Sequence, residues 1–287
     1  MKKKVIITGA SSAIMDAVIN LILFEKDYTI VGITRKKKEK YRSDIQWVEA
    51  DITSTTNYFF LKDAALIIHA AAISNTHNKE DYFKTNYEAT ANLIQAANSY
   101  NVDKFIYISS LVTGERSGYY SRSKLLSEEY IKSNFNRWLI VRPSQLYGYS
   151  EKAPIDNLIN KIKTKKIIPC PTGDPTSLMP IFYREAAQLI FDAIFKEDLN
   201  NVIKYITGPE AFNYKGLINS IASTLNKNIT IIPIPVIILK SVRVVLIISG
   251  IKTTIYPDQI TRLYHPPHCS VPEKTTASPI SDYLKRG

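Results

Sequence analysis

Short, continuously apolar segments alternate with amphipathic helical patterns along the first half of the chain. The apolar segments are Lys4–Ile7, Thr29–Ile33, Leu66–Ile68, Phe105–Ile108 and Trp138–Val141. The helical patterns cover Ala13–Glu25, Tyr87–Tyr100 and Ser117–Ser133. Strands that are apolar on both faces and are joined by helices form parallel sheets with helices on both sides. The sequence therefore predicts an α/β fold built on a doubly wound parallel sheet.

Small and polar residues directly follow the apolar segments. They are Gly9 after the first segment, Thr34-Arg35 after the second, His69 to Ala72 after Leu66–Ile68, and Ser109-Ser110 after Phe105–Ile108. Ligands of open parallel sheets bind at the carboxyl ends of the strands. We therefore expect these residues to form one site, with His69 more suited to a structural role at its strand end than to catalysis.

Tyr120 and Lys124 are spaced one helical turn apart, ten residues after the serine pair Ser109-Ser110. Positions i and i+4 share a face of a helix, so the Lys124 ammonium can lie beside the Tyr120 phenol. A neighbouring positive charge would lower the tyrosine pKa from about 10 towards neutrality. Such a phenol can exchange the proton of an alcohol or ketone. The spacing alone is weak evidence, since the chain has 18 tyrosines.

The strand–helix alternation becomes less regular after residue 148. We predict that residues 1–148 and 181–206 form the domain with the main sheet. Residues 149–180 and 207–287 would form a smaller substrate-binding region. Its apolar character is also compatible with a hydrophobic substrate, and pockets commonly lie between two such regions.

Charge and composition restrict the possible partners. The net charge of +11 lies largely in lysine runs, which are typical of a solvated basic surface, and no nucleic-acid-binding motif accompanies them. The two cysteines, Cys170 and Cys269, and four scattered histidines give neither a disulfide framework nor a metal pattern. We therefore expect a cytoplasmic protein that binds no metal and no nucleic acid.

The segment from Val236 to Ile248 is the strongest membrane candidate. It is about 13 residues long and contains Lys240 and Arg243, whereas a membrane span needs roughly 20 apolar residues. We therefore predict no membrane span. A packed or dimer-facing helix is the main expectation, and a helix lying on a membrane surface is the alternative.

Several short motifs, in this order, resemble the extended branch of the short-chain dehydrogenase/reductase superfamily. This branch contains NAD(P)-dependent epimerases, dehydratases and reductases with a Rossmann-like sheet. The matching pieces are Thr8-Gly9-Ala10-Ser11-Ser12, Asp51-Ile52, His69-Ala70-Ala71-Ala72, Asn86 with Thr90 to Leu93, Ser109-Ser110, Tyr120/Lys124, Arg142 to Gly148, Tyr205 to Pro209 and Pro257 to Ile260. Each piece is weak, but their order and spacing together are specific.

The resemblance implies a role for each matching residue. Tyr120, Lys124 and Ser110 would be catalytic, with Ser110 holding the substrate oxygen and Lys124 also binding the nicotinamide ribose. The implied cofactor-binding residues are Gly9, Ser11, Ser12, Ala13, Ile14, Arg35, Asp51, Ile52, Ala70, Ala71, Ala72, Asn86 and Lys124. Asn86 would act either as a proton relay or as a hydrogen-bonding residue at the start of its helix. Relatives commonly dimerise through the helices that carry Asn86 and Tyr120.

The cofactor loops depart from the usual pattern. After the second strand, Thr34-Arg35 and three lysines replace the acidic residue that NAD-preferring relatives place there. An arginine suits a 2′-phosphate, so NADP is expected, with NAD possible. The glycine motif has Ser12 and Met15 where the extended branch has glycines. Met15 would either fill an adjusted gap or push the helix outward and weaken pyrophosphate binding.

The substrate is the least determined feature of the sequence. Leu111-Val112 occupy the positions of an Asp-Glu pair found in sugar dehydratases, so dehydration is disfavoured. We expect an epimerase or 4-keto-reductase that acts on a nucleotide-linked sugar. The alternatives are an NADP-dependent oxidoreductase of a hydrophobic hydroxy or keto substrate, and a non-catalytic dinucleotide-binding regulator.

Overall fold

A seven-stranded parallel sheet organises the chain. The computed structural model describes residues 2–36, 42–172, 177–197, 199–253, 255–264 and 275–286. The strands in these residues are β1 (Lys3–Thr8), β2 (Tyr28–Thr34), β3 (Gln46–Glu49), β4 (Ala64–His69), β5 (Lys104–Ile108), β6 (Trp138–Pro143), β7 (Leu146–Tyr147), β8 (Ile167–Pro171), β9 (Ile181–Phe182), β10 (Val202–Ile206) and β11 (Thr230–Ile234).

The strand order of the main sheet is β10-β6-β5-β4-β1-β2-β3, and every neighbouring pair is parallel. Strands β1, β2 and β3 follow one another to one edge of the sheet. The chain then crosses to the other side of β1, where β4, β5, β6 and β10 follow one another to the opposite edge. This order is that of a doubly wound Rossmann-like sheet and confirms the predicted fold class. The direction reverses between β1 and β4, where ligands of such sheets bind.

The helices cover the sheet and build the C-terminal part. Those in the described residues are α1 (Ala13–Phe24), α2 (Lys79–Tyr82), α3 (Ala89–Ser99), α4 (Tyr119–Asn134), α5 (Pro154–Thr164), α6 (Tyr183–Phe195), α7 (Tyr214–Thr224), α8 (Val236–Ser249), α9 (Pro257–Tyr264) and α10 (Ile280–Arg286). A π-helical turn, Phe83–Glu88, joins α2 to α3. The helix predicted from Tyr87 therefore begins earlier, because Asn78 caps it by accepting a hydrogen bond from Glu80 N at 3.3 Å.

Each face of the sheet has its own hydrophobic core. Side chains alternate along a strand, so Val5 and Ile7 pack towards α1 and α6, and Ile6 packs towards α3 and α4. Met15 is fully buried in the first of these cores. It therefore occupies the space between α1 and the sheet, and its effect on pyrophosphate binding stays a prediction.

A third core lies in the C-terminal part of the chain. It joins α5, α7 and α10 through Leu158, Ile218 and Leu284, beside the parallel pair β8–β11. Cys170 is buried in this core, and Cys269 lies outside the described residues. The division of the chain into two regions remains a prediction.

Helix α8 forms where the apolar segment predicted it, and whether it faces a second copy of the chain or a membrane surface stays a prediction. None of its residues is buried. It packs alongside α9 and otherwise exposes its apolar side chains. No helix within the described ranges is long and apolar enough to cross a bilayer.

Candidate active site

The turn between β1 and α1 is held tightly against the segment that follows β4. Gly9 has a φ of +69°, and a β-carbon built on it would lie 2.7 Å from the Ala71 nitrogen. A side chain at this position is therefore excluded by both conformation and space. Ser12 caps α1 by accepting a hydrogen bond from Met15 N at 3.4 Å.

This turn has the features that a dinucleotide pyrophosphate requires. Backbone amides at a helix N-terminus bind phosphates, and the glycine allows a close backbone approach. Ala13 and Ile14 begin α1, and Ser11 beside them is exposed. Ala70 and Ala71 contact the glycine, and Ala72 is exposed next to them. The residues of the turn therefore fit the cofactor that the sequence implies.

His69 ties three elements together beneath this turn. Its Nδ1 is 2.6 Å from Thr8 Oγ1 in β1, and its Nε2 is 2.9 Å from Thr90 Oγ1 in α3. Burial lowers the pKa of His69 to about 3, so the ring is neutral at physiological pH. The side chain thus has the structural strand-end role that was expected.

Arg35 directly follows β2 and Asp51 follows β3, at the same edge of the sheet as the Gly9 turn. Asp51 accepts hydrogen bonds from Thr53 N at 2.9 Å and from Thr53 Oγ1 at 2.7 Å. The pKa of Asp51 is lowered, mainly by the bond from Thr53 N and further by the charge of Arg35. Arg35 is exposed and Ile52 is buried. Lys37 and Lys38, which also entered the cofactor prediction, lie outside the described residues.

Asn86 lies in the π-helical turn, and its side-chain amide is fully engaged. Its Oδ1 accepts from Ile73 N at 2.8 Å, and its Nδ2 donates to Ile73 O at 3.0 Å and Ser123 Oγ at 2.9 Å. The residue fastens the segment after β4 to α4. These contacts favour the hydrogen-bonding role over the proton relay, and π-helical turns often occur at functional sites.

Tyr120 lies in the first turn of α4 and is almost completely buried. Its phenol hydrogen-bonds the Ser110 side chain. The Arg262 guanidinium lies over its ring, 4.9 Å from the centroid. Burial raises the pKa of Tyr120, and Arg262 and Ser110 oppose this effect. The direction therefore differs from the predicted lowering, and the cation against the ring is Arg262 from α9, not Lys124.

Lys124 is directed towards the sheet. Its Nζ donates to Ile108 O at 2.8 Å and lies 4.1 Å from the centroid of the Tyr107 ring. The residue is 1% exposed. Burial lowers the pKa of Lys124 to about 7, although the charge of Glu128 opposes the decrease. Lys124 therefore titrates near neutral pH.

This pKa gives a prediction for the pH dependence of stability. The pKa of Lys124 is about 7 in the fold and 10.5 without it, so the unfolded chain binds more protons between these values. The free energy of unfolding should therefore rise with pH across that interval. Urea unfolding at several pH values measures the free energy of unfolding of the native chain and of a Lys124→Met variant. The free energy of the native chain minus that of the variant should increase with pH. For Lys132→Met, an exposed change on the same helix, this difference should not vary with pH, and the same result for Lys124→Met would contradict the prediction.

A buried charged cluster lies behind Lys124. The Glu128 carboxylate is fully buried and forms a bidentate ion pair with Arg142. Arg142 Nε donates to Glu128 Oε1 at 2.9 Å, and Arg142 Nη2 donates to Glu128 Oε2 at 2.5 Å. Ser109 Oγ also donates to Glu128 Oε1, and Arg142 Nη1 donates to the Tyr205 hydroxyl at 3.3 Å. Arg142 and Tyr205 belong to two motifs of the resemblance, and the structure gives them this common role.

Helix α9 supplies two residues whose roles the sequence did not reveal. The Asp258 carboxylate accepts a hydrogen bond from Tyr119 N at 2.5 Å and so caps α4 from a distant part of the chain. Gly118 leaves space for it: its φ is +99°, and a β-carbon there would lie 2.5 Å from Asp258 Oδ1. Arg262 pairs with Asp258 at 3.3 Å and donates to Ser74 O at 3.1 Å. The sequence signals were the Pro257 to Ile260 piece of the resemblance, which contains Asp258, and an Asp-x-x-x-Arg spacing on one face of a short helix.

The predicted residues thus lie along one edge of the sheet. Tyr120 and Ser110 are in direct contact, Lys124 lies one turn further along α4, and Gly9 lies against Ala70 and Ala71. Within the described part of the chain, no group of three or more His, Cys, Asp or Glu side chains is arranged to hold a metal ion.

Comparisons with known proteins agree with this architecture. A model of the NAD dependent epimerase/dehydratase family matches residues 5–185. The UDP-glucose 4-epimerase of Vibrio cholerae is 23% identical over 267 residues, covering 82% of this chain and 80% of that protein. The mitochondrial NADH-ubiquinone oxidoreductase 40 kDa subunit of Neurospora crassa is 22% identical over 62% of this chain and 46% of its own length.

A solved structure matches almost the whole fold. It is the UDP-glucuronic acid 4-epimerase from Bacillus cereus, in complex with UDP-glucuronic acid and NAD. It superposes with a TM-score of 0.69 at 20% identity and covers 98% of this chain and 96% of that chain.

Proposed function

The chain belongs to the NAD dependent epimerase/dehydratase family of enzymes, and on this premise we propose that it is an epimerase or 4-keto-reductase of a nucleotide-linked sugar. The observation that carries the proposal is the buried Tyr120 phenol in contact with Ser110, at the same sheet edge as the Gly9 turn. The two epimerases similar to this chain, one named for UDP-glucose and one bound to UDP-glucuronic acid, support this substrate class.

Each residue of the site has a role in this proposal. Tyr120 exchanges a proton with the sugar hydroxyl, and Ser110 orients the same oxygen. The Gly9 turn and the α1 N-terminus hold the pyrophosphate, and Asp51 lies towards the adenine. The bound dinucleotide supplies hydride transfer at the carbon that bears this hydroxyl. Lys124 binds the nicotinamide ribose, and Arg262 supplies the positive charge against the Tyr120 ring.

We propose that the cofactor is a nicotinamide dinucleotide with NADP preferred and NAD possible. The exposed Arg35 after β2 supports the preference, because an arginine there can pair with a 2′-phosphate. The NAD in the Bacillus cereus structure supports the alternative. Fluorescence titration of the purified protein with NADPH and NADH distinguishes them: tighter NADPH binding is expected, and equal or weaker binding would overturn the preference.

A Gly9→Ala variant should bind either dinucleotide at least about tenfold more weakly, because the new methyl group collides with Ala70 and Ala71. Gly114→Ala is the matched control, since a β-carbon there would make only an ordinary 3.5 Å contact with Ser117. Binding is measured by the same titration. Unchanged affinity in Gly9→Ala would show that the turn does not hold the cofactor.

The reaction is tested with two kinds of probe: UDP-glucose and UDP-glucuronic acid with NAD+ or NADP+, and a UDP-linked 4-keto sugar with NADH or NADPH. Mass spectrometry of the product separates the two proposed reactions: an unchanged mass with a new retention time from the first kind indicates epimerisation, and two hydrogens added to the 4-keto sugar indicate reduction. Dinucleotide binding without turnover of either kind of sugar would favour an oxidoreductase of a hydrophobic substrate or a non-catalytic regulator. Failure to bind any dinucleotide would overturn the enzymatic proposal.

We propose two further properties for this enzyme. A homodimer through α3 and α4 is supported by half-exposed aromatic side chains on these helices and the adjoining turn, which include Tyr87 and Tyr130. Light scattering at the concentration of the assay tests it, and a monomeric mass would exclude it. A cytoplasmic location is supported by the low cysteine content, two in 287 residues.

A further inference from the structure

Helix α8 exposes an unusually apolar surface. Ile237 is 69% exposed, Val245 60% and Ile248 81%, and Ile251 just beyond the helix is 59% exposed. Single exposed apolar residues are ordinary, but a contiguous patch on a globular protein marks a binding surface. We call this surface the α8 face; it comprises Ile237, Ile238, Val242, Val244, Val245 and Ile248.

The α8 face is bordered by positive charge. At 100° per residue, the exposed Lys240 projects from the border between the α8 face and the side of the helix that packs on α9, whereas the partly buried Arg243 lies on that packed side. The 47 residues from Ala211 to Pro257 contain five lysines and arginines and no aspartate or glutamate. The exposed Lys240 and Lys252 therefore favour an extended anionic surface, and Asp81 is the carboxylate that lines the cavity beside Leu246 and Ile247.

We propose that the α8 face docks the protein on the surface of an anionic phospholipid bilayer. The apolar side chains enter the boundary between headgroups and acyl chains, and the exposed Lys240 and Lys252 pair with lipid phosphates. The helix has 14 residues and is about 21 Å long, shorter than the roughly 30 Å hydrocarbon core, so it lies in the plane of the membrane.

A second copy of the chain fits the α8 face less well. In a two-fold contact the same surface meets itself, so Lys240 of one helix would approach Lys240 of the other. Like charges at close range oppose such a contact. A bilayer that contains anionic lipid offers the opposite charge and accepts apolar side chains without a shaped pocket.

Docking would also place the candidate active site close to the membrane. The segment after α8 is fastened beside the site, because Thr253 O accepts a hydrogen bond from His77 Nε2 at 3.0 Å. Arg262 of the following helix lies over Tyr120. A cavity of about 570 Å³ between these parts is lined by Asn75, His77, Leu246, Ile247 and Tyr256. The apolar helix and the site therefore lie on neighbouring parts of the surface.

Vesicle flotation of the purified full chain tests the proposal. Vesicles of phosphatidylcholine with about 30 mol % phosphatidylglycerol should carry the protein, and pure phosphatidylcholine should carry at least about tenfold less. Raising the salt to about 0.5 M should release most of it. Absence of binding to the anionic vesicles would overturn the proposal.

A pair of variants locates the contact. Val245→Glu/Ile248→Glu should bind anionic vesicles at least about tenfold less, because both new carboxylates face the lipid. Phe24→Glu/Phe59→Glu is the matched control: these side chains are 82% and 62% exposed on other elements, and the control should bind like the native chain. Equal loss in both pairs would overturn the assignment to α8.

Light scattering tests the other possible occupant of the α8 face, which is a second copy of this chain. If the native chain fails to bind vesicles and its molar mass is halved by Val245→Glu/Ile248→Glu, the α8 face is a self-association surface and the membrane proposal is wrong. Circular dichroism of each variant checks that the fold is retained. None of the four substituted residues belongs to the candidate active site, so dinucleotide binding should be unchanged in all of them.

Discussion

A Tyr120→Phe variant is expected to lose about 10²- to 10⁴-fold in kcat, the usual contribution of a positioned acid–base group. The change removes only the hydroxyl that contacts Ser110 and keeps the ring beneath Arg262. KM for the nucleotide sugar and affinity for the dinucleotide should change little, because the lost group acts on the proton in transfer. Steady-state kinetics and cofactor titration measure these effects.

Tyr119→Phe is the matched control for this experiment. Tyr119 is adjacent in sequence and 40% exposed, and only its backbone nitrogen contacts Asp258. The control should therefore keep near-native turnover. Full turnover by Tyr120→Phe, with the control also active, would show that this phenol is not the acid–base group. Thermal denaturation of both variants should exclude a folding defect, since one lost hydrogen bond costs only about 1 kcal/mol.

Removal of Glu128 is expected to cause the largest loss of stability. A Glu128→Leu variant leaves Arg142 without its carboxylate and should lower the free energy of unfolding by about 3–5 kcal/mol. It also removes the charge that opposes the lowering of the Lys124 pKa. Lys124 should then become neutral at a lower pH than in the native chain.

Two comparison variants test the cause of this loss. Glu129→Leu changes an exposed neighbour on the same helix and should stay within about 0.5 kcal/mol of the native chain. A Glu128→Leu/Arg142→Met double variant removes both charges and should recover much of the loss, because no uncompensated ion remains buried. Urea unfolding measures the free energy of unfolding of these two variants and of Glu128→Leu. A loss below about 1 kcal/mol in Glu128→Leu would mean that water or another residue compensates Arg142.

The main sheet and the position of the site could be predicted from sequence because both follow from local patterns. Continuous apolar runs such as Lys4–Ile7 have to be covered on both faces, and this requirement gives parallel strands. Strand ends then meet at one edge, which brings Gly9 near Ala71 and Ser110 near Tyr120. The helix over Ser117–Ser133 was also predictable, with its start shifted to Tyr119 by Gly118.

The electrostatics of the site depended on contacts that no local pattern contains. The spacing of Tyr120 and Lys124 indicates a shared helix face, but burial allows the ammonium to turn towards Ile108 O. The cation over the phenol ring comes from Arg262, more than a hundred residues away in the chain. Likewise, the hydropathy of Val236 to Ile248 predicted the helix but not whether it would be covered, since covering depends on what else the fold places there.

The capping of α4 by Asp258 has a consequence for the order in which the protein forms during synthesis. The first turn of the helix that carries Tyr120 takes its cap from a carboxylate 139 positions later. The strands of the main sheet, β1 to β6 and β10, are complete in the growing chain before that carboxylate leaves the ribosome. Contacts of such long sequence separation form late in folding, because a large loop has to close first. The first turn of α4 would therefore be capped only after the main sheet has folded, so a truncated chain would retain that sheet without a capped turn at Tyr120.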